Sequence, residues 1–466
     1  MLTLINLRSR AEQPCASTPR LRSRHSGVAL ALLGLASLSG SACGKKDAEE
    51  GAAAAGTTGG EGPLAVAPAP ASAATGNAAT AAANPWGSPE ADKGQPLPPR
   101  KALAGGAQSD YNDGRRAAQS GDLAGARSKF EAVVAADPNA YLALHALGVI
   151  SDREGRESQA IDYYRKALRV QPDYEESARG IVSINVRQGQ SDRALQFMQP
   201  LAQQWERNLL LQAYYADLLT QLNRPADAIT AARAALRRDE RFVPAMLSLV
   251  RANIRAGKLE LADSILEQAL GVDEKNAQLH YLKGKRLADD AKLSEAITEF
   301  KRAVELDPDF AEARMELGLR LLAGANYDEA LQQLQVVDKL TPKVVEVQLA
   351  LGDAYRSKGQ WVEAKTAFDK ALRMRSDLPQ AHFNLALLYM TSGAAYPGPD
   401  VLTSLGKAKE EFAAYRTQMG SRLPRDDASA AYLDDIEKSI AREQKRIERE
   451  KKAAERGART DAGGTQ

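Results

Sequence analysis

From residue 107 to about residue 417 the apolar positions of the chain repeat every 34 residues, and inside each period they fall at helical spacing. The stretch Tyr141–Tyr174 shows the unit most clearly. Leu144, Leu147, Gly148 and Ile150 line one face of a first helix, and Gly155 breaks it. Ala160, Ile161, Tyr164, Ala167 and Leu168 line one face of a second. Pro172 stops that second helix, because proline has no N–H and its ring clashes with the preceding turn. Each period therefore predicts a hairpin of two short helices. A pair this small cannot bury both of its apolar faces alone, so it needs copies of itself on either side.

The copies keep strict phase. A small residue recurs at Ala126, Ala160, Ala194, Ala228, Ala262, Ala296, Ala330 and Ala364. Four residues later stand Phe130, Tyr164, Met198, Leu266, Phe300, Leu334 and Phe368, with Ala232 as the one small substitute. Glycine recurs at Gly114, Gly148, Gly284, Gly318 and Gly352, and proline at Pro138, Pro172, Pro308 and Pro342. Small residues belong where two helices cross closely, and the large residue fills the space beside the crossing. The units run 107–140, 141–174, 175–208, 209–242, 243–276, 277–310, 311–344 and 345–378, and a ninth starts at Pro379.

This pattern resembles the tetratricopeptide repeat. The resemblance implies an all-α fold, a right-handed superhelical solenoid of about nine units over residues 107–417. Three departures stand out. Glu206, Glu240 and Glu274 replace the expected prolines in the middle units. Pro200 sits late in a second helix, where it is expected to end or kink it, whereas Pro225 and Pro244 fall in tolerated first turns. The ninth unit starts normally with His382, Leu385, Ala386, Tyr389 and Gly393 and is then interrupted by AAYPGPDVLTSLG. Its Ala408, Phe412 and Tyr415 arrive ten residues late. The interruption is expected to form a surface loop.

Residues 418–456 predict a capping and charged helix. Tyr432, Leu433, Ile436 and Ile440 form an apolar stripe that would cover the last repeat. Beyond it, mixed charges predict a solvated helix with pairs such as Glu448 with Lys452. Residues 457–466 are expected to be a disordered tail.

The N-terminus has a different character. Arg20, Arg22, Arg24 and His25 precede the apolar run Gly27–Gly40, and Gly40, Ser41 and Ala42 lead into Cys43. Basic region, short apolar region and small residues together describe an export signal over residues 1–42. A cysteine directly after the small residues resembles the lipobox of bacterial lipoproteins, although Gly40 stands where that family prefers leucine. The resemblance implies acylation of Cys43 as the first mature residue. Gly44 in place of aspartate implies the periplasmic face of the outer membrane. An ordinary export signal with an incidental Cys43 is the alternative. Residues 43–106 are rich in Ala, Gly, Pro, Ser and Thr and predict a disordered tether.

Charge and chemistry narrow the function. The chain holds 62 basic and 60 acidic residues, a formal net charge of +2, which argues against a general nucleic-acid binder. Cys15 and Cys43 are the two cysteines, so the repeats contain no thiolate nucleophile and no cysteine zinc site. His145, His280 and His382 are spread a repeat or more apart and do not assemble a metal site. Phosphate-loop and nucleophile-elbow spacings are absent. The expectation is a non-enzyme without cofactor, metal or small-molecule substrate.

In this repeat family the first helices line a concave groove through repeat positions 2, 5, 9, 12 and 13. That register places Arg153, Arg179, Arg187, Arg251, Arg255 and Lys285 on the groove as a basic stripe, interrupted by Asp217. It places Met315, Leu319, Leu322, Phe383, Leu387 and Met390 there as an apolar surface. A basic stretch beside an apolar one suits a peptide or partner helix. The alternative is that the arginines pair with acids of the adjoining unit and the apolar set belongs to the core. A clamp for C-terminal carboxylates is disfavoured, since His145, Val149, Arg179 and Ser183 stand where such clamps carry Lys and Asn.

The layout of lipobox, linker and solenoid is similar to lipoproteins of myxobacterial gliding-motility and pilus-assembly complexes. That similarity implies a membrane-anchored scaffold that binds protein partners and organises an envelope machine. A soluble periplasmic assembly chaperone for an exported or outer-membrane client is the other reading.

Overall fold

A computed structural model describes residues 95–103, 105–396, 398 and 400–463, with side chains through residue 456. The export signal, Cys43 and the tether as far as residue 94 lie outside the described residues. Among the described residues the chain is helical and contains no strand.

Nine hairpins follow one another. The first four are α1 (Ala107–Gln119) with α2 (Leu123–Ala136), α3 (Tyr141–Arg153) with α4 (Glu157–Val170), α5 (Glu175–Arg187) with α6 (Ser191–Gln204), and α7 (Leu209–Gln221) with α8 (Pro225–Arg238). The next four are α9 (Val243–Arg255) with α10 (Leu259–Val272), α11 (Ala277–Asp289) with α12 (Leu293–Leu306), α13 (Ala311–Ala323) with α14 (Tyr327–Leu340), and α15 (Val345–Ser357) with α16 (Trp361–Met374). The ninth pairs α17 (Pro379–Ser392) with the longer α18 (Val401–Met419), and α19 (Ser429–Gly463) ends the chain. Each first helix starts on the residue where its 34-residue period starts. The described residues divide into two compact units, one up to residue 262 and one from residue 263, with the division inside α10.

Size complementarity holds each hairpin. The eight in-phase alanines are fully buried at 0 % exposure, and so is Ala408, the late-arriving ninth. The large residue four positions on packs against the first-helix glycine. A methyl group built on Gly148 would lie 2.5 Å from the Tyr164 ring, and one on Gly352 would lie 2.3 Å from the Phe368 ring. Where the second helix carries the small Ala232, the glycine position carries Ala216, and both are buried at 0 %. The two positions therefore trade volume and keep the helices packed without a void.

The turn between the two helices uses one left-handed residue per hairpin at the same repeat position. Glycine takes it at Gly121, Gly155, Gly189, Gly257, Gly359 and Gly393, while Asn223, Ala291 and Ala325 adopt it at φ near +60°. A β-carbon is disfavoured in this conformation by about 1 kcal/mol, so the two alanines are strained points of the array.

Pro200 does not end its helix. α6 continues through it to Gln204 and has the same length as α4 and α8. Burial of Ala194, Met198 and Ala202 on both sides of the proline holds the helix in place, so tertiary packing outweighs the lost N–H and the ring clash.

The interruption in the ninth unit folds back onto that unit. Tyr396 stacks on Tyr389 with ring centroids 6.2 Å apart and planes 9° apart. The Ser404 hydroxyl donates to the carbonyls of Gly393 and Tyr396, each at 2.7 Å, and Asp400 caps α18 by accepting from Leu402 and Thr403 N–H. α19 runs on as helix to Gly463, past residue 457 where the sequence predicts a disordered tail. Residues 451–459 are mostly Lys, Ala, Glu and Arg, which are good helix formers, and no proline stops them.

Candidate protein-binding surface

In the first unit the predicted basic positions are drawn into local networks. Arg187 on α5 makes an ion pair with Asp152 on α3, one unit earlier, and its Nη1 reaches the other carboxylate oxygen at 3.2 Å. Arg187 also pairs with Glu157 at 3.2 Å. Arg251 repeats the arrangement with Asp217 at 3.0 Å, again one unit earlier. Arg255 donates to Asn223 Oδ1 at 3.0 Å, and the Arg179 guanidinium lies over the Tyr214 ring at 5.0 Å. Arg153 and Arg255 are exposed. The stripe is thus a ladder of repeat-to-repeat pairs, with part of its charge compensated by the acid of the preceding unit.

His145 faces the same side but is enclosed. Its ring lies 5.4 Å from that of Tyr164 and 5.2 Å from that of Tyr174, and Nδ1 is 3.1 Å from Ser177 Oγ. Burial holds its pKa down to about 4, against a weaker upward pull from Glu175.

Beside it lies a cluster that sequence reasoning missed. Gln171, Asp173 and Asn208 are buried polar residues. Gln171 Nε2 donates to Asp173 Oδ1 at 2.9 Å. Asn208 Nδ2 donates to the Asp173 carbonyl at 2.8 Å and to Glu175 Oε2 at 3.1 Å. Onto this cluster comes Arg100, from the last part of the predicted tether. Its Nη2 donates to Glu175 Oε2 at 2.8 Å, and its Nη1 is 3.7 Å from Asp173 Oδ1. The available signal was the run Asp173–Tyr174–Glu175. Only at this junction between repeats do two acids flank an aromatic.

In the second unit the predicted apolar surface is largely covered. Leu322 is a core residue at 7 % exposure and not a groove residue, since it packs with Leu317, Leu321 and Leu351. Met315 and Leu319 are half-buried against the same core. Phe383, Leu387 and Met390 are half-buried in the last core, where α18 and α19 close over them. The Phe383 ring lies 5.4 Å from Phe412, 5.1 Å from Tyr415 and 6.2 Å from Tyr432. Ile436 of the capping stripe is buried at 1 %. Lys285 is exposed, with its ammonium 5.9 Å above the Tyr281 ring.

His280 and His382 are half-buried. Each sits at the fourth repeat position and bonds a glutamate on its own second helix: His280 to Glu299 at 2.6 Å, His382 to Glu411 at 2.7 Å. Asp110 with Lys129 and Arg314 with Gln333 use the same two positions. The His382 pair keeps its partner despite the ten extra residues, which places the insertion outside the packed register. Among the described residues no group of three or more His, Cys, Asp or Glu is placed to hold a metal ion. No described helix is long and apolar enough to cross a membrane. An open cleft of about 580 Å³ lies between α2 and α4, with Leu144, Leu147 and Tyr163 among its walls and Lys166 and Arg169 at its rim.

Family models match the repeats. The family described as tetratricopeptide repeat matches residues 111–175, 215–277 and 281–344, and a second description, TPR repeat, matches 352–393. Together these spans make up half of the chain. No curated protein matches the sequence. Among solved structures the chain is similar to a tetratricopeptide repeat protein from Parabacteroides merdae at 16 % identity, over 54 % of this chain and 99 % of that one, with a TM-score of 0.41. It is similar to a chain of the APC/C hetero-tetramer Cut9–Hcn1 at 13 % identity, over 72 % and 77 %, with a TM-score of 0.46. It is also similar to YrrB, described as a TPR protein with an unusual peptide-binding site, at 24 % identity, over 40 % and 95 %, with a TM-score of 0.32.

Proposed function

Because the chain belongs to the tetratricopeptide repeat proteins, whose repeats bind protein partners, we propose that it is a membrane-anchored scaffold that recruits components of a cell-envelope machine, such as one for gliding motility or pilus assembly. Cys43 is its lipid anchor on the periplasmic face of the outer membrane. The protein part of the reading rests on one observation. First helices in register from α3 to α9 present the exposed Arg153 and Arg255, with Arg179 over the Tyr214 ring, outside the packed alanine and aromatic core. The anchor rests on the run from Gly27 through Ala42 into Cys43. Two or more acyl chains on one residue suffice for stable anchoring at about 0.8 kcal/mol per buried CH₂. Tethering then raises the local concentration of the repeats near an envelope partner, so single contacts need not be strong.

Two experiments test the two parts separately. Cys43→Ala moves the protein from the membrane fraction to the soluble fraction with its helical circular-dichroism signal unchanged. A wild type already found in the soluble fraction rejects the anchor. Crosslinking in the native envelope through a photoreactive residue at position 153 or 255 captures a defined partner. Capture through position 255 that persists undiminished after Arg153→Ala with Arg179→Ala rejects the first-helix surface as the binding face.

A further inference from the structure

The cluster at the start of α5 is more than a joint between repeats. Asp173 is buried with its side chain 1 % exposed, and its Oδ2 has no hydrogen-bond partner. A buried carboxylate oxygen left unpartnered costs free energy unless a cation stands near it. The groups around it are themselves positioned. Gln171 bonds Oδ1, and the buried Asn208 fixes both the Asp173 carbonyl and the Glu175 carboxylate while capping α7. Tyr174, between the two acids, is held edge-on by Tyr141 at 4.9 Å and by His145 at 5.2 Å.

Three different contacts converge on this arrangement from one short segment. The Arg100 guanidinium meets Glu175 at 2.8 Å and stands near Asp173 at 3.7 Å. The same guanidinium lies 5.6 Å from the centre of the Tyr174 ring, within the range of a cation–π contact. Gln171 Nε2 donates to the Pro98 carbonyl at 3.3 Å, a contact that reads the backbone and not the side chain. Residues 95–103 carry no helix or strand, and Pro98 and Pro99 restrict the backbone ahead of Arg100, which lowers the entropy lost on docking. The occupant remains accessible: Leu97 is 42 % exposed and the Arg100 side chain 43 %.

We propose that Gln171, Asp173, Tyr174 and Glu175 form a recognition site for an arginine in an extended, proline-preceded peptide, and that the chain's own Pro98–Pro99–Arg100 occupies it in cis. The site then exchanges between this internal ligand and a Pro-Pro-Arg segment of a partner. It deepens the scaffold reading by naming a ligand chemistry, and it rests on that reading for its partner. The cis segment competes at the high effective concentration of a short connection, so a free peptide gains access when Arg100 is removed.

The test uses the full chain and a fluorescent peptide with the sequence of residues 95–103, followed by anisotropy. The peptide binds the Arg100→Ala chain at least tenfold more tightly than the wild type. Adding Glu175→Gln to Arg100→Ala removes at least tenfold of that affinity, and a peptide with lysine in place of its arginine binds less tightly than the original. Unaltered helical circular dichroism and thermal midpoint establish that each variant is folded. If Arg100→Ala is destabilised, Arg100→Lys provides the same comparison with the charge retained. Equal peptide affinity for wild type and Arg100→Ala overturns the proposal, as does indifference to Glu175→Gln. Either result leaves the envelope crosslinking of Arg153 and Arg255 as an independent measure of the scaffold reading.

Discussion

The hairpins of residues 107–255 and those of residues 277–419 share one packing scheme and cover their first-helix faces in opposite ways. In the first region Gly148 meets Tyr164 as Gly352 meets Phe368 in the second, and the same alanine position is fully buried in both. The covering differs. Around α3 to α9 the face carries charge, compensated by pairs such as Arg187 with Asp152 and Arg251 with Asp217 and by the docked Arg100. Around α17 the face is apolar, and α19 lays Tyr432, Leu433 and Ile436 on it. The repeat thus specifies how units stack and leaves the remaining face free to diverge, with polar positions available to partners and apolar ones closed by the chain itself.

The largest expected effect breaks the closed side. Ile436→Asp places a charge in the core beneath α19 and costs about 4 kcal/mol through lost burial and an unpaired buried charge. Hydrogen exchange shows α17, α18 and α19 losing protection while α3 to α7 keep theirs. Loss of protection throughout the chain would contradict separate coverings.

The charged side responds to pH. His145 has a folded pKa near 4 against about 6.5 in the unfolded chain. The unfolded state therefore binds the proton first as pH falls. The stabilisation is full above about pH 6.5 and is lost progressively down to about pH 4, by at most about 3 kcal/mol. Urea unfolding between pH 7 and pH 4 measures it, and His145→Gln removes that part of the slope. An identical slope in His145→Gln assigns the loss to other groups.

What the two regions share is tested by Gly148→Ala and Gly352→Ala. Both push a β-carbon into a buried aromatic ring, and each costs about 1–3 kcal/mol by overpacking. Similar losses in chemical denaturation confirm a common packing rule, and a tolerated Gly352→Ala would restrict that rule to the first region. The smallest effect has the opposite sign. Ala291→Gly and Ala325→Gly relieve a left-handed β-carbon and raise stability by about 0.5 kcal/mol each, net of the added freedom of the unfolded chain.

Much of this molecule was legible along the chain. The period of 34, the alanines from Ala126 to Ala364 and the late Ala408 predicted the hairpins, their starts and the core. Each of these positions acts through its own size at a helix crossing, and that property repeats with the backbone. Glu448 and Lys452 form the predicted pair at 2.6 Å for the same local reason. The candidate surface was less legible. The register implied by the resemblance to the repeat family placed Arg187 and Leu322 on a groove, but whether a groove position faces solvent, an acid or a neighbouring core depends on residues in other units. Only the tertiary structure set Asp152 against Arg187, closed α19 over Phe383 and brought Arg100 to Glu175. Those contacts join residues with no fixed spacing, and such pairs leave no periodic mark in the sequence.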